Sequence, residues 1–277
     1  MKSIRTDLAL YLLAASIGLA PWLTACVPFD GTSCHPGDAH CNPLANLLFM
    51  QSVNSSIACV DSYKNEITGN SSVASYWRLD ESSSSTAEDS IGALNGSGVN
   101  NPTPAQQGPL NEGASWSFRF DGTSQRVFTA DVASTLVDNV SLGLWMYPQN
   151  PTSGVNQLVF YSGNGSSSGY GIYIGSGGTV TVLNGGVGSG VSTYYPTANV
   201  WQYVVFVRDS GTWKFYLDGT ELSLTGNPTP NAPVGIVYIG AGNGVEFFQG
   251  RLAEVAVWNS VLSQSEIQNH VSIAACN

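Results

Sequence analysis

Trp201-Gln202-Tyr203-Val204-Val205-Phe206-Val207-Arg208 runs into Asp209-Ser210-Gly211, and Thr212-Trp213-Lys214-Phe215-Tyr216-Leu217 runs into Asp218-Gly219. Two strand-length runs rich in aromatic and β-branched residues, each closed by a glycine-containing turn, predict paired strands. The second turn leads straight into Glu221–Leu224. Upstream, Ser115-Trp116-Ser117-Phe118-Arg119-Phe120 alternates apolar and polar before Asp121-Gly122, and Val140–Tyr147 stops at Pro148. Gln157–Tyr161, Tyr170–Ile174 and Thr179–Leu183 follow, separated by Gly/Ser/Asn loops; Ile236–Ile239 and Phe247–Trp258 close the set. Strands about 8–12 residues apart predict an all-β antiparallel sandwich or barrel, not βαβ units. One helix is expected, because Ser263-Gln264-Ser265-Glu266 forms a capping box ahead of Ile267-Gln268-Asn269-His270.

Composition agrees. Of 277 residues only 10% are charged, 9 basic and 19 acidic, against about 25% in an average soluble domain. That poverty excludes a helical bundle, whose solvent faces need Glu and Lys. The 31 Gly, 13 Pro, 7 Trp and 12 Tyr suit strands and turns, and 43% hydrophobic residues exclude disorder as the main state. A net charge of −10 argues against nucleic acid as a partner.

The chain opens on Lys2 and Arg5, followed by the apolar run Leu8 to Ala20. A bilayer-spanning helix takes about 20 residues, so this shorter run fits a secretory signal. Leu23-Thr24-Ala25-Cys26 resembles a bacterial lipobox, which implies cleavage before Cys26 and lipidation of its sulfur. The rival is ordinary signal cleavage and a soluble product. Acyl chains hold well because each buried methylene adds about 0.8 kcal/mol. Val27 stands where an Asp would signal inner-membrane retention, so the outer membrane is the expected home. Removing residues 1–25 leaves 7 basic and 18 acidic side chains. Residues 26–72 read as a lipid-anchored tether with a Cys-stapled knot, and 73–277 as the β domain.

With Cys26 assigned to lipid, Cys34, Cys41, Cys59 and Cys276 remain, an even number suited to two disulfides in any of three pairings. Cys34-His35-Pro36-Gly37-Asp38-Ala39-His40-Cys41 carries two Cys and two His, zinc's preferred ligands. The spacing matches no common zinc motif, however, and Pro36-Gly37 makes an ordinary turn.

The order of landmarks resembles a laminin-G-like domain of the concanavalin A-like jelly-roll group. Tyr76-Trp77-Arg78-Leu79-Asp80-Glu81 and Ala87-Glu88-Asp89-Ser90-Ile91-Gly92 are similar to the family's opening strand and loop. Phe118-Arg119-Phe120-Asp121-Gly122 matches its F-x-F-D-G strand, and Lys214-Phe215-Tyr216-Leu217-Asp218-Gly219 its Y-x-D-G hairpin. Phe248-Gln249-Gly250-Arg251-Leu252-Ala253-Glu254-Val255 resembles the closing F-x-G-x-I-D-E-V strand. The resemblance covers about residues 74–272 and implies a two-sheet antiparallel jelly-roll sandwich whose terminal strands lie close together. It thereby implies the pairings Cys59–Cys276 and Cys34–Cys41. A bridge closing so long a loop adds up to about 4–5 kcal/mol in the chain-entropy model.

Glucanases of this fold carry paired glutamates on one strand, and retaining hydrolysis needs two carboxyls about 5–5.5 Å apart. Glu254 is followed by Val255-Ala256-Val257-Trp258, with no second acid on its face, and three His suggest no triad. The expectation is a non-enzyme. Relatives that bind calcium point to Asp80, Glu81, Asp89 and Asp121, weighed against turn carboxylates that fix backbone; the family's aspartate is lost at Ala253. For sugar, Tyr194-Tyr195-Pro196 supplies stacking aromatics, with Asn164, Tyr170, Asn184 and Asn243 as polar contacts, against a reading in which they cover an edge and make turns. Trp77, Trp116, Trp145, Trp201, Trp213 and Trp258 are expected to pack within the sheets. Heparin is disfavoured because scattered cations build no basic stripe. Two functions follow: a lipid-anchored, non-catalytic module binding glycans or extracellular-matrix-type proteins, or a structural outer-membrane lipoprotein contacting another envelope protein.

Overall fold

The computed structural model describes residues 59–110 and 115–275. Residues 59–69 are helical (α1). The strands follow as β1 (Val73–Trp77), β2 (Ser97–Val99), β3 (Thr103–Gln107), β4 (Trp116–Asp121), β5 (Arg126–Phe128), β6 (Val140–Pro148), β7 (Gln157–Asn164) and β8 (Ser168–Ile174). Next come β9 (Val180–Asn184), β10 (Gly188–Ser192), β11 (Gln202–Asp209), β12 (Thr212–Leu217), β13 (Thr220–Leu222), β14 (Leu224–Thr225), β15 (Ile236–Ile239) and β16 (Gln249–Trp258). Helix α2 (Gln264–Ala274) ends the order. Ser263 caps it, its hydroxyl accepting from the Glu266 amide while the Glu266 carboxylate accepts from the Ser263 amide at 2.7 Å. No described helix is long and apolar enough to cross a membrane.

The first sheet runs β13-β12-β11-β6-β16-β4-β3, with β1 also on β16; the second runs β14-β10-β9-β8-β7-β15-β5-β2. The predicted two-sheet antiparallel sandwich is what forms. Alternation is the cause. Phe118, Phe120, Phe206 and Phe215 of the first sheet pack with Ile172 and Val182 of the second, all fully buried.

A second core covers the other face of the first sheet. Trp145, Tyr203 and Trp258 point outward and are roofed by Tyr63 and Ile67 of α1 and by Ile267 of α2. The Trp145 indole donates to the Tyr63 hydroxyl at 3.1 Å. Gly143 permits this layer: a Cβ there would sit 2.9 Å from the Tyr203 hydroxyl and 3.1 Å from the Trp258 ring. Residues 59–69, read as tether, therefore belong to the packed body, which begins before residue 73. Cys59 lies at the start of α1 with Sγ 3.6 Å from the Ile273 carbonyl oxygen. Cys26, Cys34, Cys41 and Cys276 lie outside the described residues.

Glu254 is the extra residue of a β-bulge. The register of β16 against β6 shifts between Ala253 and Ala256, and Glu254 takes a φ of 53°. The bulge resets the alternation, so Val255 and Val257 face the inner core while Ala256 and Trp258 join the outer one.

Candidate functional site

Strand order splits the six predicted ligand residues between opposite ends of the sandwich. Tyr170 pairs with Asn184 and Ser168 with Asn164, at the start of β8. Tyr194 and Tyr195 instead follow β10 beside the start of β9, where the Val180 amide donates to the Tyr194 carbonyl at 3.0 Å. Asn243 sits in the turn after β15, also at this end, and is exposed.

Most of the distant group is structural. Tyr170 is fully buried in step with Ile172 and Ile174, donates its hydroxyl to the Leu136 carbonyl at 2.9 Å, and meets Trp213 edge-on. Asn184 is 1% exposed, and its amide has no hydrogen-bond partner among the described residues. Asn164 is exposed and accepts from the Ser166 amide and hydroxyl, making the expected turn. Tyr170 and Asn184 thus cannot reach a surface ligand: their inward strand parity overrides the loop-side reading.

The tyrosine pair divides. Tyr194 packs beside Phe215 and donates its hydroxyl to Gln202 Oε1 at 2.6 Å, and burial pushes its pKa upward. The Gln202 amide in turn holds the Thr197 and Val200 carbonyls, which fixes the loop. Tyr195 is 60% exposed. Its ring lies against Gly178, where a Cβ would meet Tyr195 Cδ1 and Thr152 Cγ2 at 3.4 Å each. Adjacent residues of an extended segment point opposite ways, so one tyrosine closes the core and the other stands in solvent.

Around Tyr195 the loops carry polar groups that sequence reasoning missed. Asn156 accepts from the Ser176 amide at 2.8 Å and donates to Glu246 Oε1 at 3.1 Å. Gln157 ties down the 149–156 loop through the Asn150 carbonyl and the Ser153 hydroxyl. Val155 and Val245 are 61% and 57% exposed. Asn156 immediately precedes a predicted strand, which is the signal that could have placed it at the rim. The result is one exposed aromatic face with fixed amide, carboxylate and hydroxyl groups at the same end, able to stack and hydrogen-bond a sugar.

Most oxygens of the predicted calcium ligands serve their own neighbours, while Glu81 Oε2 is buried with no hydrogen-bond partner among the described residues. Asp89 accepts from the Tyr76, Ile91 and Leu94 amides. Asp121 accepts from the Thr123, Ser124 and Gln125 amides, which outweigh desolvation and hold its carboxyl well below the usual range. Asp80 pairs with Arg78 at 2.6 Å. Glu81 accepts from the Glu88 amide, and burial pushes its pKa up to about 7. Among the described residues no three His, Cys, Asp or Glu gather where they could hold a metal ion.

Glu254 is 2% exposed. The Tyr76 hydroxyl donates to its Oε2, and Arg78 lies 3.6 Å from Oε1. Desolvation raises its pKa to about 7 against those two partners. His270 is equally enclosed, 2.9 Å from the Tyr203 hydroxyl and stacked on Trp258; desolvation lowers its pKa to about 4.

A family model described as the concanavalin A-like lectin/glucanases superfamily matches residues 121–268. The chain belongs to this superfamily. No curated protein matches the sequence. Among solved structures, it is similar to domain 4 of AbnA, a GH43 extracellular arabinanase from Geobacillus stearothermophilus, in complex with arabinotriose. The identity is 16%, the TM-score 0.54, and 72% of this chain and 98% of that one are covered. It is also similar to Trypanosoma rangeli sialidase in complex with sialic acid, at 14% identity and TM-score 0.57, over 80% of this chain. The match spans only 39% of that sialidase. At these identities the likeness is one of fold.

Proposed function

We propose that this protein is a lipid-anchored, non-catalytic cell-envelope protein whose superfamily domain binds carbohydrate at the loop end around Tyr195. The observation that carries it is Tyr195 itself, a 60% exposed aromatic held over Gly178 with Asn156, Ser153 and Glu246 on the loops of the same end. The arabinotriose complex of domain 4 of AbnA, which this chain covers almost whole, supports a binding module of this fold. The enclosure of Glu254 supports a non-catalytic role, because a general acid must reach its substrate. Anchoring rests on Cys26 and the leader before it, with the outer membrane as the site. Cys59 and Cys276 are proposed as a disulfide closing the domain.

The test is binding of residues 27–277 to a panel of neutral glycans and matrix proteins, with Tyr195→Ala beside it. Glycan binding lost in the variant, with an unchanged melting temperature, is expected; glycan binding untouched by the variant would move the site elsewhere. Silence on the glycans would favour the second reading, an envelope-assembly lipoprotein. One observation favours that alternative: Phe128 of the second sheet, 36% exposed, pairs with half-buried Tyr238. Outward aromatics of this kind suit a protein partner.

A further inference from the structure

A row of side chains crosses the outer face of the first sheet. Register sets Thr103 opposite Arg119, Arg119 opposite Arg251, and Arg251 opposite Tyr147. Trp201 extends the row, because Gln202 pairs with Met146 and the Tyr147 and Trp201 rings are 5.4 Å apart. The Arg251 guanidinium lies 3.8 Å over Tyr147 and 5.3 Å from Trp201, and its Nη1 donates to the Gln107 carbonyl at 2.9 Å. That fork is therefore held in place by stacking and a hydrogen bond. Arg119 is exposed, and its side chain makes no hydrogen bond or ion pair with any described residue.

Like charges directly opposite in a sheet destabilise it. Yet two of only 9 cations in a chain of net charge −10 stand opposed here. No described carboxylate lies within ion-pair distance of either. The acid two residues along β4, Asp121, has both oxygens occupied by its own turn. Tyr147 and Trp201 sit where β6 and β11 meet the loops that bear Thr152 and Tyr195, so the row adjoins the site described above.

We propose that Arg119 and Arg251 together bind the carboxylate of an acidic, uronic-type sugar, with Trp201 meeting the neighbouring ring. Paired planar forks match the two oxygens of a carboxylate. This rests on the carbohydrate reading and narrows it to a charge class.

Trigalacturonate and its methyl ester share rings and differ in charge, so they serve as the calorimetric probes. The acid is expected to bind the protein about tenfold more tightly than the ester. Arg119→Gln, at an exposed position, should abolish that difference by weakening only the acid, and should not lower the melting temperature, because it relieves the opposed like charges. Equal affinity for acid and ester, or an Arg119→Gln protein that binds the acid as the parent does, would overturn the proposal. Binding of the ester alone, lost in Tyr195→Ala, would overturn the acidic class and leave the carbohydrate reading standing. No binding of either probe overturns the acidic class, and the neutral panel then decides the broader reading.

Discussion

Replacing Glu254 by Gln isolates the cost of one buried charge. Desolvation carries this carboxyl from an ordinary 4.5 to about 7, with Arg78 and Tyr76 pulling the other way. The balance of those effects corresponds to about 3 kcal/mol. An acid that holds its proton more tightly folded than unfolded loses stability as pH rises through the window between the two values, here about 4.5 to 7. Gln keeps the shape and an oxygen for the Tyr76 hydroxyl while carrying no charge. The variant should therefore match the parent at pH 4.5 and exceed it by about 3 kcal/mol at pH 8. The opposing view is that breaking a buried ion pair costs about 3–5 kcal/mol; it has less force here, because Arg78 keeps Asp80 at 2.6 Å. Urea unfolding of both proteins at the two pH values decides. His270, held down to about 4, removes stability as pH falls through its ordinary 6.5, but it does so equally in both proteins and cancels. A variant less stable than the parent at pH 8 would refute the reasoning.

Tyr194→Ala should destabilise by about 2 kcal/mol, since half-buried packing and the bond to Gln202 are lost, whereas Tyr195→Ala should leave the melting temperature unmoved; thermal unfolding of both checks this. Gly143→Ala should cost about 1–3 kcal/mol by forcing a methyl against Tyr203 and Trp258, read by the same assay. Melting in millimolar calcium and in EDTA should coincide, because Asp89 and Asp121 already serve backbone amides; a calcium-induced rise would show that these oxygens can be recruited.

The strands were legible where one face is buried. Val140–Tyr147, Thr212–Leu217 and Ile236–Ile239 carry enough apolar side chains to declare themselves, and the capping box at Ser263 announces α2. Gly188–Ser192 carries no strand signal, because a Gly/Ser run offers no alternation, although its backbone completes the ladder beside β9. Helix α1 is masked by Ser/Asn-rich neighbours, yet Val60, Tyr63 and Ile67 recur at helical spacing, so the sequence does carry its signal. Tyr170 could have been recognised as core from its parity with Ile172 and Ile174. The opposition of Arg119 and Arg251 was not legible at all: it depends on the register between strands about 130 residues apart, which no local pattern encodes.

The roof that α1 places over Trp145, Tyr203 and Trp258 has a practical consequence for anyone dissecting the chain. A fragment cut at residue 73, where the strands begin, would keep the whole inner sandwich and lose Val60, Tyr63 and Ile67. It would bare a row of aromatics on one flat side while leaving the loop end intact. Such a fragment should keep its sandwich and loop end folded yet stick to itself and precipitate, so poor solubility of a minimal domain would report the missing helix and not a misfolded sandwich.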